Sequence, residues 1–176
     1  MIGQVVRLLP VLLGLTAGII DWRYARIPNW LTMPALVIGI IVNTWSRGWT
    51  GAKDSLLGAG LGFALLLGFF ALRLLGGGDC KLVGALGAFF GPTKLLDVLF
   101  VAVLVNGLMA VFMVIKEGRL LQTLKNAARL LAALFSLRPP DADLTLDNPK
   151  SSKVRFGVAV AIAVLLYAAG EFLGFS

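Results

Sequence analysis

The feature that most constrains this chain is the spacing of its charged residues, which leaves long apolar windows between short charged stretches. Only 14% of the residues are charged, against about 25% in soluble domains, and the mean hydropathy is +0.91. A membrane-spanning helix needs about 20 largely apolar residues. The charge-free windows are residues 8–20, 27–46, 55–72, 82–93, 98–115 and 156–170. The sequence therefore predicts an all-α membrane protein.

These windows predict a polytopic bundle of about six transmembrane helices within a single domain, residues 1–176. The fourth window, 82–93, is short, because a helix of that length rises about 18 Å against a hydrocarbon core of about 30 Å. A re-entrant segment is the alternative for it. Lys and Arg accumulate in cytoplasmic loops. With six crossings and an external N-terminus, twelve of the 16 basic residues lie on the cytoplasmic side, which favours a crossing.

The first window also resembles a secretory signal peptide, because Arg7 precedes an apolar stretch that ends in small residues. Asp21 follows this stretch directly and opens a turn-like sequence rather than a polar mature N-terminus. We therefore expect an integral helix here.

Residues 116–155 form the only long polar stretch and are predicted to be cytoplasmic. Within them, residues 118–137 place leucines on one side at helical spacing and Lys, Arg and Asn on the other. This pattern predicts an amphipathic helix on the anionic leaflet, with a helix packed on the loop itself as the alternative. Membrane orientation explains the net charge of +7, so lipid is an expected partner and nucleic acid is not.

The inventory of reactive side chains is small, because histidine is absent and Cys80 is the only cysteine. These facts exclude Ser-His-Asp and Cys-His nucleophiles, histidine metal sites, CxxC zinc pairs and internal disulfides. We therefore expect neither a metal nor a cofactor. Nine carboxylates are left as the main candidates for hydrolytic chemistry.

Two of the carboxylates, Asp21 and Asp79, adjoin hydrophobic windows at the predicted cytoplasmic boundary. Two crossings separate them and return the chain to the same face, so these acids can meet, whereas Asp54 is one crossing away. Two close carboxylates that share one proton can activate water for amide hydrolysis. The alternatives are structural: Asp21 in an ion pair with Arg23 or Arg26, and Asp79 as a helix cap.

Each of these acids lies in a distinctive local sequence. Asp79 belongs to the run GGGDCKL, residues 76–82, whose glycines permit close backbone approach. Asp21 precedes Ile27-Pro28-Asn29, in which the proline starts the second window. These regions resemble the two signatures of type IV prepilin peptidases, which are membrane aspartyl proteases of the GxGD class. The resemblance covers essentially the whole chain.

The resemblance implies an aspartic endopeptidase of the bacterial inner membrane that removes the leader of pilin-like precursors at the cytoplasmic face. Asp21 and Asp79 match its catalytic pair. The residues that match its active-site loops are Gly76, Gly78, Lys81, Pro28 and Asn29.

Larger members of that family carry a cytoplasmic insertion with paired CxxC motifs and also methylate the new N-terminus. Because this chain has one cysteine, it resembles the short peptidase-only form found in tight-adherence (Flp) pilus systems. Members often open their last helix with a Pro-Tyr-Gly-like sequence. Here residues 153–157, Lys-Val-Arg-Phe-Gly, occupy that place.

Three other functions are compatible with the same residues. A GxGD protease that cleaves inside transmembrane helices would use the same acid pair at a deeper position. A small proton-coupled transporter would use the acids as a relay, although such proteins more often show repeated halves. A membrane assembly subunit without chemistry would use them only as ion pairs.

Overall fold

The computed structural model of this chain describes residues 2–71, 75–117, 129 and 155–172. These residues form helices without any strand, which confirms the all-α prediction. The helices are α1 (Ile2–Tyr24), α2 (Asn29–Ala71), α3 (Gly77–Glu117) and α4 (Phe156–Phe172). Of these, α2 and α3 are long and apolar enough to cross a membrane. The amphipathic helix predicted for residues 118–137 lies, apart from Arg129, outside the described residues.

A break at Gly48, which has a φ of 61°, folds α2 into a helical hairpin. Both halves of α2 pack on the same part of α3. A Cβ placed on Gly39, in the first half, would lie 3.1 Å from the Cβ of Ala88. One placed on Gly58, in the second half, would lie 2.1 Å from the carbonyl oxygen of Gly87. The positive φ favours glycine at the turn of this hairpin.

A second break lies at Gly91 of α3, directly before Pro92. Proline has no N–H, so the carbonyl of Ala88, four residues earlier, loses its helical donor. Nδ2 of Asn43 donates to this carbonyl at 2.8 Å and to the next carbonyl at 2.9 Å. Oγ of Ser55 donates to the Ala88 carbonyl at 2.7 Å. The two halves of α2 thereby donate hydrogen bonds to the buried carbonyls that lose their helical donors at the break.

Replacing Asn43 with alanine should lower the free energy of unfolding by about 1–3 kcal/mol, because a buried carbonyl loses its donor. Thr44→Ala is the matched control, since Oγ1 of Thr44 donates within its own turn to the carbonyl of Ile40 on an exposed surface. Unfolding in detergent micelles, followed by circular dichroism, measures both losses. Equal losses in the two variants would contradict the assigned role of Asn43.

The helices extend beyond the charge-free windows. Asp21 lies within α1, which continues to Tyr24, although the sequence predicts that the segment ends before this acid. Asp54 likewise lies within the second half of α2, where it forms an ion pair with Arg47 at 3.0 Å. Each window stops at the first charge, whereas a helix continues wherever the charge has a partner or reaches the end of the bundle.

The first half of α3 covers residues 77–90, whereas the corresponding charge-free window in the sequence, the fourth, covers residues 82–93. Residues 82–89 are all buried. This helix is therefore enclosed by the rest of the bundle, and its length of about 21 Å does not have to match the thickness of a bilayer.

Small residues bring α1 and α4 into close contact. A Cβ on Gly18 would lie 2.5 Å from the Cβ of Ala161, and one on Gly14 would lie 3.3 Å from the Cβ of Val164. Glycine contacts of this kind are common between membrane helices. The first helix is thus packed against α4.

Candidate active site

Asp21 lies in the last turns of α1, and its side chain is buried, with 6% of its surface exposed. The helix ends three residues later, where Ala25 adopts a left-handed φ of 51° and its N–H donates to the Asp21 carbonyl at 2.9 Å. A left-handed residue with this bond is a common helix ending. It turns the chain toward Pro28 and leaves the Asp21 side chain at the end of the bundle.

Asp79 lies in the first turn of α3 and caps its own helix. The N–H of Gly76 donates to Oδ2 of Asp79 at 3.2 Å, and the Gly76 carbonyl accepts the N–H of Asp79 at 3.1 Å. This reciprocal pair resembles a capping box, in which the third helical residue reaches back to the cap. The spacing in the run 76–79 therefore places a carboxylate at a helix N-terminus, where the helix dipole favours negative charge.

Gly78 brings this turn against the α1–α2 connection. A Cβ on Gly78 would lie 2.8 Å from the Ile27 carbonyl oxygen and 3.1 Å from the Ile27 Cβ. The absence of a side chain thus permits the two loops to touch. Asp21 and Asp79 lie at the same end of the bundle as a result, close enough for the charge of Asp21 to act on Asp79.

The remaining loop residues link the same elements. Nζ of Lys81 donates to Oδ1 of Asn29 at 2.9 Å, which joins the start of α3 to the start of α2. The carbonyl of Pro28 accepts the N–H of Leu31 at 3.2 Å and begins α2. Lys81 therefore restrains the loop that precedes α2.

An open groove of about 320 Å³ runs along the α1–α2 connection. Its lining residues are Ile20, Tyr24, Arg26, Pro28 and Trp30. The groove combines apolar and aromatic surface with one cationic side chain at the end of the bundle that holds the acids.

The Lys81–Asn29 bond should contribute little to stability, because both side chains are near the surface. In a double-mutant cycle of Lys81→Met and Asn29→Ala, we expect a coupling free energy of about 0.2–1 kcal/mol. Chemical unfolding of the four proteins in detergent measures it. A coupling near zero would show that the contact does not join the two helices.

The acids at the opposite end of the bundle are separate from this pair. Asp54 pairs with Arg47 and lies near the Gly91 break. Glu171, near the end of α4, accepts a hydrogen bond from Lys94. Neither carboxylate can act with Asp21, which lies where α1 ends and α4 begins.

Two residues before and within α4 contact the end of α1 that carries the first acid, although the sequence pattern alone does not reveal their role. The N–H of Gly157 donates to Oδ2 of Asp21 at 2.9 Å. Arg155 donates to the carbonyl of Trp22 and lies over the indole ring, 5.1 Å from its centroid. The sequence feature that could have indicated this contact is Gly157, which stands where the resembled family has the glycine of its Pro-Tyr-Gly-like sequence.

Comparisons with known proteins place the chain in a family. The sequence profile described as "Type IV leader peptidase family" matches residues 8–111, which include both acids. Proteins named "Prepilin leader peptidase/N-methyltransferase" are similar to the chain. The relative from Xanthomonas campestris pv. campestris is 31% identical over 107 residues, 57% of this chain and 37% of its own length.

The protein of the same name from Neisseria gonorrhoeae is 32% identical over 115 residues, 61% of this chain and 39% of the relative. The one from Aeromonas hydrophila is 34% identical over 112 residues, 60% of this chain and 38% of the relative. This chain thus spans less than two fifths of the length of these relatives. No solved structure shows significant similarity. Because the matched profile covers more than half of the sequence, the chain belongs to the type IV leader peptidase family.

Proposed function

We propose that this protein is a leader peptidase that hydrolyses one peptide bond at the leader boundary of pilin-like precursors of the Flp type. The observation that supports the proposal is that Asp21 and Asp79, from two different helices, lie near enough for the charge of Asp21 to act on Asp79. Both acids lie within the residues that match the family. The groove beside the α1–α2 connection offers an extended peptide a surface on which to lie.

The proposal includes the membrane arrangement. The chain forms one integral domain, residues 1–176, with six crossings in the bacterial inner membrane and the acid pair on the cytoplasmic side. The two helix breaks support it, because each divides a long apolar helix into two segments. Exposed aromatic residues at the acid end, Trp22, Tyr24 and Trp30, are typical of a membrane interface.

The chemistry needs only the two carboxylates and a water molecule. One carboxylate removes a proton from water while the water oxygen bonds to the scissile carbonyl carbon, and the other acid gives its proton to the carbonyl oxygen. The C–N bond then breaks as the first acid protonates the leaving nitrogen, and a diol hydroxyl returns a proton to the second. Both acids end as they began. Their titration belongs to the pair.

Co-expression with Flp-type pilin precursors, in a bacterium without its own prepilin peptidase, tests the proposal. We expect intact-mass spectrometry to show loss of the leader alone, without an added methyl group at the new N-terminus. The precursor should be fully cut within the growth period. Unprocessed precursor would contradict the proposal, and so would cleavage inside the transmembrane segment of the substrate.

A further inference from the structure

Asp21 and Asp79 are held in different ways. Oδ2 of Asp21 accepts the N–H of Gly157, the second residue of α4, at 2.9 Å. The residue before this helix is Arg155, whose side chain cannot cap a helix, so Asp21 supplies from α1 the acceptor that a capping side chain normally provides. The first acid thus lies against the positive end of a 17-residue helix.

No space is left between this acid and α4. A Cβ on Gly157 would lie 2.9 Å from both the Cβ and Oδ2 of Asp21. The glycine contacts of α1 with α4 fix the register one and two turns away, at Gly18 and Gly14. The position of the Asp21 carboxylate is therefore set by the packing of two helices.

Arg155 places a positive charge beside the same carboxylate. Its guanidinium donates to the Trp22 carbonyl and stacks on the Trp22 ring, which holds it at the end of α1. Burial of the Asp21 carboxylate is the largest effect and opposes its ionisation, whereas the Gly157 amide and the charge of Arg155 favour the ionised form. The charge of Arg155, before α4, acts on Asp21, and the charge of Asp21 acts on Asp79 from α3.

Asp79 also lies at a helix N-terminus, that of α3, but fewer hydrogen bonds and charges favour its ionised form than favour that of Asp21. It accepts one N–H, from Gly76 in its own loop, at 3.2 Å. Burial of the Asp79 carboxylate is the largest effect and opposes its ionisation, and the negative charge of Asp21 adds to this effect. Two close carboxylates share one proton, and the difference between their surroundings bears on which of them carries it.

We propose that Asp21 is the ionised member of the pair, which takes the proton from water, and that Asp79 carries the shared proton to the scissile carbonyl. Arg155 and the Gly157 amide are the positioning groups that impose this order. The inference rests on the proposed function for its catalytic meaning. Both positioning residues lie outside residues 8–111, the part that matches the family.

The pH profile of precursor cleavage by the full chain in proteoliposomes tests the role of Arg155. In Arg155→Gln, protonation of Asp21 becomes easier, so the acid limb of kcat/KM should move to higher pH by about one unit. The alkaline limb, which reports loss of the proton on Asp79, should move less. Arg155→Lys keeps the charge and should restore the acid limb. Arg23→Gln is the control, because Arg23 stacks on Tyr24 rather than acting on Asp21.

Three results would overturn the inference: movement of the alkaline limb alone, a loss of activity that is equal at every pH, or equal profiles for Arg155→Gln and Arg155→Lys. The second would show that Arg155 only supports the fold.

A spectroscopic measurement separates this inference from the proposed function, because it needs no substrate. The proteins are labelled with isotope-labelled aspartate, and the infrared spectrum of the double variant is subtracted from that of each single variant. The difference spectrum of Asp79→Asn then shows the carboxyl group of Asp21, and that of Asp21→Asn shows the carboxyl group of Asp79. The protonated-carboxyl band should disappear at a lower pH for Asp21 than for Asp79. Adding Arg155→Gln should shift the Asp21 band only. The reverse order would overturn the inference even in an active peptidase.

Discussion

Replacing either Asp21 or Asp79 with asparagine is expected to lower precursor cleavage by about 10²–10⁴-fold or more, because each variant removes a proton-transfer group. The fold should persist, since an asparagine oxygen can still accept the N–H of Gly157 or of Gly76 that the aspartate accepts now. Cleavage of a purified pilin precursor, followed by mass spectrometry, measures the loss. Circular dichroism and size-exclusion chromatography check that each variant is folded.

Asp54→Asn is the matched control for both variants. It removes a carboxylate from the opposite end of the bundle and breaks the ion pair with Arg47. The side chain of Arg47 is 48% exposed and that of Asp54 is 36% exposed. An exposed pair of this kind contributes about 0–1 kcal/mol, so activity should stay close to that of the parent protein. Near-full activity in either Asp21→Asn or Asp79→Asn would rule out the two-carboxylate mechanism.

Replacing Gly58 with alanine is expected to lower the free energy of unfolding by at least about 3 kcal/mol, at the upper end of overpacking costs. The added Cβ would lie 2.1 Å from the Gly87 carbonyl oxygen and 2.8 Å from the Gly91 Cα. These are backbone atoms, so no side-chain rotation relieves the clash. Cleavage should fall as well, because the first half of α3 carries Asp79.

Gly60→Ala provides the control on the same helix. None of the described heavy atoms lies within 4 Å of a Cβ built on Gly60, and alanine favours a helix over glycine by about 0.8–1 kcal/mol. This variant should match the parent protein or exceed its stability. Unfolding in detergent micelles compares the two variants. Equal stability for them would show that the second half of α2 does not lie against Gly87 as the structure has it.

The positions of the apolar segments followed from the spacing of charges, because burial in lipid or in the bundle requires long runs without charge. The ends of the helices did not follow from it. Asp21 lies inside α1 because α4 supplies a partner for its carboxylate. The first half of α3 ends at Gly91, where a proline follows, and the carbonyls left open there are satisfied by Asn43 from another helix.

Counting the apolar segments was sufficient to predict how the acids are grouped. An even number of helices between Asp21 and Asp79 returns the chain to one end, and an odd number sends Asp54 to the other, which is where the structure has them. This argument needs only the number and order of the segments. It gives no distance and no orientation for any side chain.

The sequence by itself therefore determined an all-helical, apolar chain with one candidate acid pair and a run of glycines beside the second acid, since hydropathy and local spacing are properties of short segments. Only the tertiary structure decided how each acid is held. Gly157 reaches Asp21, and Arg155 reaches Trp22, because the glycines of α1 set its register against α4. That register depends on the packing of residues more than 130 positions apart in the chain, since Gly157 and Asp21 are separated by 136 positions.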